Sequence, residues 1–460
     1  MVVLYFGANN EYKGTEGKNI KVIENLEELE ITALRHNSVT AKKLIGANNL
    51  KDSQIKLLYR ISTRWSELPT EMMDFEFKCS NLLRLYSAFL QDNKIRTVLM
   101  GTAVPHHVDS MIFDFACDIN QILRIYPNLT NLSDKSYLLL KQIGTSSKRS
   151  PYNLKSFKKS NLAKSDIEQN INRLRDFRPP TTSTQSTSWK KSATLAILYI
   201  LIKGLKEKFI STKRPVIFPN RFLVTAQIRS IFNQLVYLRA YKKYQVKLPN
   251  NPNKQVIFFA NYQPEASTLP LGEEYFNQLN AIEKLGVHFK SLEKFYKEHP
   301  TTQHFLESFI GVTRVGFTRS KFYFEIIKKN NFQFLDISTP NVLSEKGLNN
   351  KLVCTITGTI ALQRSLAGLR TIVFGKHWFN KTPGIIGWED FLALKEKEQE
   401  RYFITTPDKK LEEKAKAYIQ KLSNQSMITL NLSAGRSSSD RGANNLNSEL
   451  KNLLELLAQN

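Results

Sequence analysis

The chain has 460 residues, too many for one hydrophobic core, so two domains or one with large insertions are expected. Its 41% hydrophobic and 23% charged residues exclude wholesale disorder, and three scattered cysteines, Cys79, Cys117 and Cys354, exclude a disulfide scaffold or a Cys-rich zinc module. Sixty-six Lys and Arg against 41 Asp and Glu leave +25 at pH 7, an excess that points to a polyanionic partner: nucleic acid, an anionic lipid surface or phosphorylated substrates.

The opening MVVLYFGANNEYKG has no basic start and no small-residue cleavage site, so no signal peptide is expected. Residues 1–135 alternate. Asp74–Leu90 carries apolar residues at helical spacing, Ile95–Met100 is a β-branched run ending at Gly101, and Val108–Leu123 is again helical in period. That is the rhythm of an α/β domain.

Residues 141–192 break it, being rich in Ser, Thr, Asn and Lys, with Pro179-Pro180. The longest apolar run follows, Ala193–Ile202; ten residues cannot cross a hydrocarbon core of about 30 Å as a helix. The span 141–214 holds seventeen bases against four acids, a net of +13. It reads either as a solvated insertion around one buried helix, or as an interfacial helix with polybasic flanks that docks on anionic lipid. Tyr152, Phe157, Phe177 and Trp189 are too sparse for the interleaved aromatics of a nucleic-acid surface, so no nucleic acid is expected.

From Gln255 the pattern is cleaner. Strands are expected at Val256–Asn261, Lys294–Lys297, Phe332–Leu335, Leu352–Ile356 and Thr371–Phe374, and helices at Glu273–Leu285, Ser320–Lys329 and Thr359–Ala367. Five strands alternating with helices make a doubly wound parallel sheet. Asp408–Leu422 reads as a last amphipathic helix, 433–447 as a mobile stretch before a short terminal helix.

Four motifs have chemistry in them. Thr357-Gly358-Thr359 is a tight turn from strand to helix, where free N–H groups and two hydroxyls suit a phosphate; many such units are purely structural. It is neither a Walker A loop nor a G-x-G-x-x-G fingerprint. Lys297, Glu298 and His299 precede Pro300 at the carboxyl end of a strand, the ligand-binding edge of an open α/β sheet. Here His299 would donate to a phosphate and Lys297 add charge; the plainer reading is a polar turn stiffened by Pro300. Gln263, Pro264 and Glu265 follow the VIFFAN strand at the same edge, with Glu265 able to accept from sugar hydroxyls or simply to be solvated. His106, His107 and Asp109 stand at a strand-to-helix turn of the first domain. They offer a general base, or Asp109 is a helix cap. A metal is not expected, since adjacent histidines poorly share one ion and HExxH spacing is absent.

In order and spacing, Gln263-Pro264-Glu265, Lys297-Glu298-His299-Pro300 and Thr357-Gly358-Thr359 resemble the bacterial capsule polysaccharide biosynthesis family, which includes the Kdo transferases of capsule and lipopolysaccharide assembly. The Pro105-His106-His107 loop looks like that family's N-terminal signature. The resemblance implies a GT-B glycosyltransferase: α/β, two Rossmann-like domains facing a cleft, with a basic insertion. Residues 1–135 would form the acceptor-side domain, 136–214 the insertion with its membrane-associating segment, 215–432 the nucleotide-sugar domain and 433–460 a tail. It implies a CMP-activated donor, with His299 on the nucleotide phosphate and Gln263, Lys297, Glu298, Pro300, Thr357, Gly358 and Thr359 on the donor side. Glu265 would lie near the sugar or acceptor, and His106 on the acceptor side. Asp109, His107 or Glu265 is the candidate base.

The chain departs from the pattern at Gln363, beside Arg364, where the family often has a glutamate. The implied reaction is transfer of Kdo or a related acidic sugar to a lipid-linked or glycan acceptor in surface polysaccharide assembly. It would take place at the cytoplasmic face of the cell membrane, with no cofactor beyond the nucleotide-sugar substrate. A nucleotide-sugar epimerase of similar fold and a non-enzymatic polyanion- or lipid-binding protein are the competing readings.

Overall fold

The computed structural model describes residues 2–6, 20–23, 50–64, 72–100, 108–130, 136–143, 149–152, 168–169, 193–202, 224–249, 253–263, 271–303, 305–307, 311–312, 318–339, 350–429 and 453–457. The chain is mixed α/β and divides into two compact units, Met1–Asn170 with Lys213–Asn220 and Gln420–Asn460, and Ile171–Thr212 with Arg221–Ile419.

The first unit holds a mixed sheet. Strands β1 (Val2–Phe6), β2 (Ile20–Ile23), β3 (Ile95–Met100) and β4 (Leu123–Leu129) run parallel in the order β2-β1-β3-β4. β5 (Ser136–Gln142) pairs antiparallel with β4, and both β6 (Ser150–Pro151) and β16 (Met427–Thr429) pair with β5. The expected domain limits therefore shift. Residue 136 opens a strand whose backbone groups are taken up by β4, and 427–429 return to the first unit's sheet rather than ending the second unit. Most of the expected insertion, and 433–447, lie outside the described residues; 453–457 are helical.

Helix Met72–Asp92 brackets the expected Asp74–Leu90 and buries Cys79, Leu82, Leu83, Tyr86, Phe89 and Leu90, one stripe at helical period. The helix expected over Val108–Leu123 stops at Ile119. Gln121 takes a left-handed φ of 53°, Ile122 N–H bonds back to the Cys117 carbonyl at 2.9 Å, and Leu123 starts β4. Buried Arg124 of β4 is paired with Asp114 at 3.1 Å and with Asp118, which fastens the helix to the strand.

The second unit has a seven-stranded parallel sheet. Its order is β15-β14-β13-β8-β9-β12-β7, with β7 Gln245–Val246, β8 Gln255–Phe259, β9 Glu293–Lys297, β12 Phe332–Leu335, β13 Lys351–Thr355, β14 Thr371–Val373 and β15 Ile385–Gly387. β10 (Leu306–Glu307) and β11 (Gly311–Val312) form a separate antiparallel pair. All five expected strands are present. Val256 and Phe258 of β8 join one core cluster while Ile257 and Phe259 join another; both faces of the sheet are covered, as a parallel sheet requires.

The expected helix Glu273–Leu285 is split into a 3-10 turn, Glu273–Phe276, and a helix, Gln278–His288. Asn277 divides them, since its extended backbone and side chain cap the second helix by accepting from Leu279 N–H. From β8 the chain builds outward through β9 and β12, then crosses back to build β13, β14 and β15 on the other side. The order reverses between β8 and β13, and ligands of such sheets bind outside the carboxyl ends at that point. No helix among the described residues is long and apolar enough to cross a membrane.

Helix Ile360–Leu366 ends in a Schellman motif. Leu369 N–H reaches the Arg364 carbonyl at 2.8 Å and Gly368 N–H the Ser365 carbonyl at 3.0 Å. Gly368 has φ 73°, and a Cβ there would sit 2.6 Å from the Asp408 carbonyl oxygen. Gly368→Ala should lower stability by about 1–3 kcal/mol; an unchanged urea midpoint would contradict this geometry.

Candidate functional site

Two staples hold the loops at the reversal point. The first is Asn261, buried just after β8. Its Oδ1 accepts from Thr355 Oγ1 (3.0 Å), Ile356 N–H (3.2 Å) and Thr357 N–H (3.3 Å), and its Nδ2 donates to Thr357 Oγ1 (3.1 Å). Gln278 pairs with its backbone through two bonds of 2.9 Å. An amide suits this place because it both accepts and donates; a carboxylate could not bond the threonine oxygen as a donor.

The second staple is Glu298, buried after β9, against buried Arg319. Arg319 Nε donates to Oε2 at 2.7 Å and Nη2 to Oε1 at 3.1 Å, a two-pronged contact. Tyr237 and Tyr296 hydroxyls donate to Oε2 at 2.6 and 2.9 Å, and His299 N–H donates to Oε1 at 2.8 Å. Arg319 also donates to Gln263 Oε1 at 2.8 Å and to the Asn261 carbonyl at 3.2 Å, and lies over the Tyr323 ring. Burial, the largest single influence, would raise the Glu298 carboxyl; the Arg319 charge together with the hydrogen bonds from Arg319, Tyr237 and the His299 N–H outweighs it and holds the group below its ordinary value.

These contacts set His299. Its Nδ1 accepts Thr301 N–H at 3.2 Å, its carbonyl accepts from Thr302 Oγ1 at 2.7 Å, and its ring lies 5.7 Å from that of Tyr262. Burial pushes its pKa down to about 4, so the imidazole is neutral near pH 7. With Nδ1 an acceptor, the proton sits on Nε2.

The loops after β8, β9 and β13 are thus brought together: Gln263, Glu298, His299 and Thr357 meet through Asn261 and Arg319. Two expectations change in detail. Glu298, expected against the donor, is turned inward and saturated by Arg319, tyrosines and backbone. Lys297 is buried within β9 with Nζ 5.3 Å from the Phe259 ring centroid, and burial pushes it down to about 8. Strand alternation sends it to the opposite face from Glu298.

Of the two threonine hydroxyls, Thr357 is buried and bonded to Asn261, while Thr359 is exposed at the start of helix Ile360–Leu366 without a capping bond. Gly358 is required by proximity, since a Cβ would lie 2.7 Å from Thr355 Oγ1. Pro300 begins the 3-10 turn Pro300–Gln303. Gln363 and Arg364 are buried, with Arg364 Nε on Thr371 Oγ1 at 3.1 Å. Pro264, Glu265, His106 and His107 lie outside the described residues.

In the first unit, Asp109 stands half-buried in the first turn of the helix that follows β3. Burial pushes its carboxyl up to about 6 against the pull of its own and Ser110's backbone N–H. Among the described residues no three His, Cys, Asp or Glu side chains group as a metal would need. Sequence reasoning missed Arg319 and the stapling role of Asn261. An arginine ahead of a helix-capping serine reads as solvated, and only the demand of a buried Glu298 for a cation would have flagged it.

No family model and no curated protein matches the chain. Among solved structures it is similar to the β-Kdo 2,7 transferase KpsC of Thermosulfurimonas dismutans, at 12% identity over 86% of this chain and 95% of that one, TM-score 0.33. It is also similar to a UDP-GlcNAc 2-epimerase of Neisseria meningitidis bound to UDP-GlcNAc, at 12% identity over 92% and 98%, TM-score 0.22.

Arg319→Met strands a buried carboxylate and should cost about 3–5 kcal/mol, with much of it recovered when Glu298→Gln is added; additive losses in urea melts would refute the coupling. The His299 imidazole should titrate near pH 4 by NMR. Its folded value lies below the unfolded one, so stability should fall as pH drops from the unfolded histidine range to that midpoint. A midpoint in the ordinary histidine range would contradict its buried, neutral state.

Proposed function

We propose that the chain is a nucleotide-sugar-dependent glycosyltransferase, with Kdo or a related acidic sugar on a CMP-type donor and a lipid-linked or glycan acceptor. The reading rests on one observation above others. A neutral imidazole with its acceptor nitrogen already engaged stands at the reversal point of a parallel sheet, its loop fixed to two neighbouring loops by Arg319 and Asn261. The motif resemblance adds the class of donor.

Glycosyl transfer gathers positive charge at the anomeric carbon and negative charge on the departing phosphate. A donor fixed before the reaction stabilises that phosphate more in the transition state than in the ground state. His299 Nε2–H is this donor, and the Thr359 hydroxyl a second. Gln263, Glu298, Arg319 and Thr357 are positioning residues that set the loops, and Lys297 contributes charge from within the sheet. In the first unit Asp109 is the base for the acceptor hydroxyl: a carboxylate with a pKa near 6 is largely ionised at pH 7 yet basic enough to take a proton. His107 and Glu265 are the alternative bases, with His106 beside the acceptor. The reaction would run at the cytoplasmic face of the membrane.

His299→Ala should lose about a hundredfold in kcat/KM for transfer from a CMP-sugar while keeping its melting profile; a loss under about threefold would remove the leaving-group role. Activity should rise with pH through about 6 and lose that limb in Asp109→Asn. An isomerised donor in place of a new glycoside would favour epimerisation instead.

A further inference from the structure

Helix 193–202 is apolar on every side. Its inner stripe, Ala193, Ala196 and Ile200, is buried in the core cluster on one face of the second sheet. The outer side carries Leu195 and Leu198, each 53% exposed, with Tyr199, Leu201 and Ile202, the last 58% exposed. Thr194 is the one polar residue in the ten. A helix that is apolar all round belongs in a core or a membrane, and here the outer side is exposed among the described residues.

Helix Val224–Tyr244 packs Ile231, Tyr237, Leu238 and Tyr241 into the same cluster, so the two helices share one layer of this unit. Its outer side exposes Phe232 and Val236, one turn apart, among exposed Arg229, Arg239, Lys242 and Lys243. Neither helix contains an Asp or Glu. Lys190 and Lys191 precede the shorter helix and Lys203, Lys206 and Lys208 follow it.

We propose that this layer is a docking surface for an anionic lipid bilayer, with the outer side of helix 193–202 and Phe232 and Val236 entering the interface and the surrounding Arg and Lys side chains meeting lipid phosphates. The charge pattern chooses the occupant. A second copy of a chain with net charge +25 would set basic rim against basic rim, whereas an anionic surface satisfies the apolar side and the cations together. Lipid binding needs no sugar nucleotide, so this proposal stands or falls apart from the transferase reading.

The full chain should float with phosphatidylcholine vesicles containing phosphatidylglycerol and not with phosphatidylcholine alone, and high salt should weaken the binding. Leu198→Gln with Ile202→Gln, both at exposed sites, should lower partition by about tenfold with an unchanged melting profile. Arg239→Glu with Lys242→Glu should also weaken it. Equal binding to neutral vesicles, or full binding by either variant, would overturn the proposal. So would failure to bind anionic vesicles together with a lipid-free dimer that the glutamine variant disperses, which would assign the surface to a second copy.

Discussion

The second unit's site depends on one buried charge having one partner. Glu298 is enclosed with no water-facing oxygen, a state that is tolerable only because Arg319 meets it with two donors and Tyr237, Tyr296 and the His299 N–H take its remaining lone pairs. A buried ion pair adds little net stability over an apolar replacement, but it tolerates few geometries. The guanidinium must lie in one plane and at one place, and from there it also reaches Gln263 and the Asn261 carbonyl. The pair therefore sets where the loop after β8 sits relative to the loop after β9. Specificity of position, rather than stability, is what such a network supplies at the edge of a sheet.

Asn261 extends the same logic across the reversal point. Beyond the end of β13 the Asn261 amide takes up the backbone N–H groups of Ile356 and Thr357 while holding both neighbouring threonine hydroxyls. Gly358 then passes so close to Thr355 that no Cβ fits. Both turns are shaped by close approach and amide chemistry, and among the described residues of these turns His299 Nε2 and the Thr359 hydroxyl are donors the scaffold does not consume.

The five central strands of the second sheet were legible because their β-branched and aromatic residues are buried, every residue of β8, β13 and β14 among them; Phe332–Leu335 is bounded as its sequence suggests. The edge strands β7 and β15 were not, since two or three residues show no period. The helix ahead of β4 was overrun because Ile122, Leu123 and Ile125 continue its apolar spacing, and only the left-handed turn at Gln121 breaks it. Gln263, Glu298, His299 and Thr357 were legible as neighbours because loops after parallel strands share an edge. Their division of labour was not. Whether a carboxylate faces a ligand or a buried arginine depends on a residue twenty-one positions away, and no local pattern encodes it.

Contacts between residues still further apart in sequence join helix Val224–Tyr244 to the loops of the site. Helix Val224–Tyr244 directs Gln234, Tyr237 and Tyr241 inward. Gln234 donates to the Thr302 carbonyl at 2.8 Å, Tyr237 to Glu298, and Tyr241 to the Leu335 carbonyl while accepting Glu298 N–H at 3.1 Å. Phe232, Val236 and Arg239, offset by about half a turn, face out. The groups that orient Glu298 and the turn carrying His299 therefore stand on the same helix as these outward residues. That helix has no acidic residue to hold it off a negative surface. One sequence of twenty-one residues thus serves both sides, with Gln234, Tyr237 and Tyr241 on the loops of the site and Phe232, Val236 and Arg239 exposed.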